Sequence, residues 1–128
     1  MKKYLLDTHV LLWMQDDNIA LSNRARNILE YPTLNLYLSI ASLWEITIKQ
    51  SIGKLQLEYS FDELIESCNE TNITVLPIDI EILKTLKALP FLHRDPFDRI
   101  IIATSIKLGL DFISSDEIAK KYMPEVIW

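Results

Sequence analysis

The chain has 128 residues, with 18 Asp and Glu against 13 Lys and Arg, giving a net charge of −5. This length fits one domain over 1–128, and 49% hydrophobic residues supply a core and exclude a disordered chain. Two glycines (Gly53, Gly109), one cysteine (Cys68) and two distant histidines (His9, His93) exclude glycine-rich nucleotide loops, an internal disulfide, a cysteine-rich zinc site and an H-E-x-x-H helix.

The opening MKKYLLDTHVLLW has two lysines before an apolar run, as a signal peptide does, but Asp7 and His9 break the run and no small-residue cleavage site follows. No stretch is long enough to cross a membrane, so a cytoplasmic, reducing setting is expected. Lys3–Leu6 reads as a strand, followed by a helix with His9 in its first turn and Trp13 on its apolar face. Ser22–Glu30 carries Ala25, Ile28 and Leu29 on one helical stripe, and 34–39 is a second strand. Ile40–Ile52 is a helix apolar around most of its surface. Phe61–Thr71 is a helix opened by a capping box, Ser60 with Glu63. A strand over 73–78 and a helix over 79–89 follow, then a helix over Pro96–Leu108 that stops at Gly109. A strand over 111–114, a short helix over 117–122 and a weaker fifth strand over 126–128 close the pattern. The strands are apolar without clean alternation, as when both faces are covered. Strands alternating with helices predict an α/β fold, a three-layer α/β/α sandwich around a central, mostly parallel five-stranded sheet.

In such sheets, sites form beyond the carboxyl ends of the strands. Asp7 ends the first strand, Asp116 follows the fourth, Asp98 lies in the first turn of the preceding helix, and Glu45 lies inside the apolar helix after the second strand. Asp7, Asp95 and Asp116 also read as helix caps, Asp95 above all because Pro96 follows it. Glu45 and Asp98 resist that reading. Glu45 is flanked by Ala41, Leu43, Trp44, Ile46 and Ile48, and Asp98 shares a helix face with Ile101, Ile102 and Ser105. A buried carboxylate costs several kcal/mol unless paired or coordinated, and Lys49, four residues beyond Glu45, offers an ion pair worth only about 0.2–0.5 kcal/mol. Acids converging on one cleft are tolerated around a divalent cation, and oxygen-only ligands select Mg²⁺ or Mn²⁺. Such ions support phosphodiester hydrolysis, singly or in pairs.

The strings LLDTHVLLW (5–13), SLWEI (42–46), HRDPFDR (93–99) and SSD (114–116), in this order and spacing, resemble those of PIN-domain proteins, and of VapC-type toxins in particular. The resemblance runs over the whole chain. It implies a five-stranded parallel sheet with the first strand central and Mg²⁺- or Mn²⁺-dependent endoribonuclease activity leaving 5′-phosphate and 3′-hydroxyl ends. It also implies a homodimer and a small cognate antitoxin protein. Carried onto this sequence, the four catalytic and metal-holding acids are Asp7, Glu45, Asp98 and Asp116. Asp95 is an additional acid, holding the ion at one remove or serving only as a helix cap. Thr8 and Ser115 are the hydroxyls expected to orient a carboxylate or water.

On this reading Asp7 and Asp98 hold the principal ion, and Arg94, Arg99 and Lys49 contact substrate phosphates, whereas Lys54 reads as solvated surface. Arg99 could instead pair with Asp95, four residues before it. His9 is a substrate contact or a structural hydrogen bond, and Trp13, Trp44 and Trp128 read as core and interface. Three other readings stay open: a phosphohydrolase with an aspartyl nucleophile at Asp7, a non-catalytic acidic cleft that binds a basic peptide, and an RNA-processing PIN nuclease. The charge balance is compatible with an RNA substrate: without Asp7, Glu45, Asp95, Asp98 and Asp116, 13 acids face 13 bases.

Overall fold

A computed structural model describes residues 2–31 and 35–128. Four parallel strands, β1 (Lys3–Leu6), β2 (Asn35–Ser39), β3 (Ile73–Leu76) and β4 (Asp111–Ile113), form one sheet in the order β3-β2-β1-β4. Tyr4 pairs with Leu36 on one side and Asp111 on the other, and Leu36 pairs with Ile73. The sequence places Leu34 in the second strand; that position lies outside the described residues.

Among the described residues, seven helices fill the connections: α1 (Thr8–Asp16), α2 (Asn23–Leu29), α3 (Ile40–Ser51), α4 (Phe61–Glu70), α5 (Ile80–Ala88), α6 (Pro96–Leu108) and α7 (Ala119–Tyr122). Successive strand residues point to opposite faces, so Tyr4 and Leu6 enter one core and Leu5 the other. The first core joins the sheet to Val10 and Leu11 of α1, Ala25 of α2, Leu43 and Ile46 of α3, and Leu64 and Cys68 of α4. The second joins Leu5 and Phe112 to Ile82 of α5, Ile100–Ala103 of α6 and Ala119 of α7. Both faces are covered, which makes the expected three layers.

The fifth strand is reduced to a single bridge. Ile127 pairs with Ile113, donating its N–H to the carbonyl of Phe112 (2.8 Å) and accepting the N–H of Ser114 (3.1 Å). β3 stops before Pro77, which has no N–H for a ladder, and α7 begins two residues later than expected, after a turn at Asp116.

Candidate active site

The chain runs β1, β2, β3 across one half of the sheet and returns to place β4 on the far side of β1. Strand order therefore reverses beside β1, and a crevice opens there beyond the carboxyl ends of β1 and β4. Asp7 follows β1 directly and caps α1. Its Oδ1 accepts the N–H of Thr8 (2.8 Å) and its Oδ2 accepts the Ser114 hydroxyl (2.6 Å). The Ser114 Oγ also accepts the N–H of Asp116 (3.0 Å), so one buried hydroxyl ties together the ends of both strands. Thr8 turns its hydroxyl to Ser42 on α3 (2.9 Å).

Glu45 is 1% exposed. Its Oε2 accepts from the Lys49 ammonium (2.6 Å), whereas its Oε1 is buried without a hydrogen-bond partner. Asp98 reaches the crevice from the first turn of α6. A ligand atom of Asp98 lies within 4.8 Å of those of Glu45 and Asp95, and a second grouping joins Asp98 to His93 and Asp116. Asp95 caps α6, accepting the N–H groups of Phe97 (2.8 Å) and Asp98 (3.2 Å). Asp116 accepts the N–H of Ile118 (2.9 Å) and faces the His93 Nε2 (2.7 Å).

This crowding sets the protonation. Burial, reinforced by Asp7, Asp95, Glu45 and Asp116, pushes the Asp98 carboxyl up to about 8. Burial also raises Asp7, against the lowering effect of the Ser114 and Thr8 hydrogen bonds and of His9. Lys49 is raised above its ordinary value by its bond to Glu45, with the Asp95 and Asp98 charges adding to it and burial opposing.

The four expected acids and Asp95 therefore converge on one crevice. The basic candidates separate. Lys49 lies beside Glu45, and Arg94 is exposed on the loop before α6. Arg99 turns away from Asp95: its guanidinium donates to the Leu89 carbonyl (3.3 Å) and lies 5.0 Å over the Phe91 ring. His9 is exposed, 5.8 Å from the Trp13 ring. The hydroxyl that orients Asp7 belongs to Ser114, one residue before the expected Ser115. Trp13 and Trp128 pack together at 5.7 Å, but Trp44 is 55% exposed and stacks edge-on against Phe97 at 5.0 Å. His93, which is not among the candidate site residues of the sequence, stands between Asp98 and Asp116.

The residues fit a divalent cation. A buried carboxylate oxygen without a partner at Glu45 and a carboxyl driven towards neutrality at Asp98 are both relieved by positive charge at that point. The donors are oxygens, because the His93 Nδ1 accepts the Asp95 N–H (3.1 Å), which places the ring proton on Nε2. A hard cation suits such a set.

The sequence model of the PIN domain family matches residues 4–123, and the chain belongs to that family. No curated protein matches the chain significantly. Among solved structures, VapBC2 from Rickettsia felis bound to a promoter DNA fragment is similar with a TM-score of 0.69 at 14% identity, over 97% of this chain and 95% of that one. A toxin–antitoxin complex from Klebsiella pneumoniae gives 0.67 at 18% identity, over 98% and 97%. DNA-bound VapBC from Salmonella typhimurium gives 0.63 at 16% identity, over 99% and 96%. At these identities the likeness is one of fold.

Proposed function

We propose that the chain is a metal-dependent endoribonuclease and the toxin of a toxin–antitoxin pair, acting on RNA in the cytoplasm and neutralised by a small antitoxin protein. The observation that carries the nuclease reading is that Asp7, Glu45 and Asp116 all crowd Asp98, and that the nearby Glu45 keeps one buried carboxylate oxygen without a partner. The toxin reading is supported by the family and by the toxin–antitoxin complexes among the similar structures. A homodimer is part of the proposal, by the same likeness.

Asp7, Glu45, Asp98 and Asp116 would hold Mg²⁺ or Mn²⁺, with Asp95 close enough to join them. When bound, such an ion supplies water activation and charge neutralisation at the phosphate. The chain supplies the geometry. Ser114 and the Thr8 N–H fix both oxygens of Asp7, so that its carboxylate cannot rotate. The Lys49 ammonium holds one oxygen of Glu45 and leaves the other buried and unpaired. The Asp98 carboxyl holds a proton near neutral pH and gives it up when positive charge arrives. Exposed Arg94 offers a charge to the RNA backbone.

The test is cleavage of RNA by purified protein with Mg²⁺. Asp7→Asn and Asp98→Asn are each expected to abolish cleavage with folding retained, and chelation followed by Mg²⁺ or Mn²⁺ should remove and restore it. Survival of cleavage in both variants overturns the site, and restoration by Zn²⁺ alone overturns the hard-oxygen assignment. Expression with and without the neighbouring small gene tests the toxin reading.

A further inference from the structure

Asp98 and Asp116 reach the crevice from different elements, α6 and the turn after β4, and the charge of Asp116 disfavours charge on Asp98. One side chain spans them. The His93 Nε2 lies 2.7 Å from Asp116 Oδ2 and 3.0 Å from Asp98 Oδ2. Because the Asp95 N–H is donated to Nδ1 (3.1 Å), Nε2 carries the proton. The ring is a donor shared by two acids, with no lone pair left on that nitrogen for a metal or for taking a proton.

Where this ring stands depends on the seven residues from Leu89 to Asp95, which have no regular structure. Their backbone is fastened from outside. The Tyr122 hydroxyl, at the end of α7, accepts the N–H groups of Leu92 (2.8 Å) and His93 (2.9 Å) and donates to the Pro90 carbonyl (2.8 Å). The Arg99 guanidinium also acts on this hydroxyl. Arg99 holds the other end of the segment through the Leu89 carbonyl.

We infer that His93 is a positioning residue that draws Asp98 and Asp116 together, and that Tyr122 acts on the acidic site through it, by fixing the loop that carries the ring. The inference rests on the reading of the crevice as a divalent-metal site. Tyr122 touches none of the acids, so its influence has to pass through the Leu92 and His93 backbone.

Two readouts test this. Ring ¹⁵N spectra of the metal-free protein are simple, because the chain has two histidines. His93 is expected as the Nε2–H tautomer with a protected ring proton, and Tyr122→Phe should give mixed tautomers and fast exchange. Calorimetric titration with Mn²⁺ reads the consequence. His93→Ala should weaken binding about tenfold or more, the range for residues that orient metal ligands. Tyr122→Phe should weaken it severalfold, and the double variant no further than His93→Ala alone, since both act through one ring. His93→Gln, whose amide N–H can reach the place of Nε2, should recover part of the loss. Leu64→Ala, which truncates the core on the opposite face of the sheet, should leave Mn²⁺ binding unchanged. Unaltered spectra in Tyr122→Phe, additive losses, or an equal loss in Leu64→Ala would each overturn the positioning role. Failure of the wild type to bind Mn²⁺ would instead overturn the metal-site reading, and the spectra would still decide whether Tyr122 orders His93.

Discussion

Asp98 is a carboxyl whose surroundings were assembled from four chain segments, and its proton reports on all of them. Unfolded, it titrates near 3.8; folded and metal-free, at about 8. Between those values the folded state keeps a proton that the unfolded state has lost. Its contribution to stability is therefore complete below about pH 4 and is lost as pH rises through 8. Asp7, also raised, acts in the same direction. The urea midpoint of chelated protein should fall between pH 5 and pH 9, and Asp98→Asn should flatten that fall. Binding of Mg²⁺ at pH 7 should release a proton, seen as a dependence of the calorimetric heat on the buffer's ionisation enthalpy. At this scale the sequence was informative where a charge contradicted its setting, as Glu45 does inside an apolar helix. It was uninformative where one residue of register decides: Ser114 and Ser115 are the same letter, and only the pleat of β4 turns the first towards Asp7. The role of His93 depends on a contact across 23 positions, which no local pattern encodes.

The helix α6 shows how element and site share atoms. Asp95 caps it, Pro96 opens it with a ring already set to the helical φ, and Gly109 ends it at φ 66° in the left-handed region. These signals were legible because each is a local backbone requirement. In the sequence Asp95 reads as cap or as metal-holding acid, and the geometry allows both. One oxygen caps, while a ligand atom lies within 4.8 Å of those of Glu45 and Asp98. Asp95→Ala should cost about 1 kcal/mol by denaturant unfolding, and Asp95→Ser, an equally good cap, should cost little. Both should weaken Mn²⁺ binding alike, because neither leaves a carboxylate. The inner face of the same helix carries Ile100, Ile101 and Ile102 into the second core. Ile101→Ala should cost about 2–5 kcal/mol with the acids untouched. The fifth strand was the element least legible in the sequence. Its apolar residues mark the right neighbourhood, but the ladder there is a single bridge long.

For the whole molecule, alternating strands and helices foretold the layers, and the reversal of strand order beside β1 explains why the acids meet there. A site that binds an ion only when folded stabilises the fold by mass action, about 2.7 kcal/mol at a hundredfold excess over Kd. Saturating Mg²⁺ should raise the thermal midpoint by several degrees in the wild type and not in Asp98→Asn. The bond from Ser114 to Asp7 spans 107 positions. A chain folding from its first strand thus carries Asp7 and Glu45 early but lacks the Ser114 and Asp116 partners until β4 has docked. Peeling β4 away would at once unhook Asp7, displace Asp116 and strip His93 of a partner. A half-folded or fraying copy therefore lacks the assembled acids, and the site comes into being only with the fold.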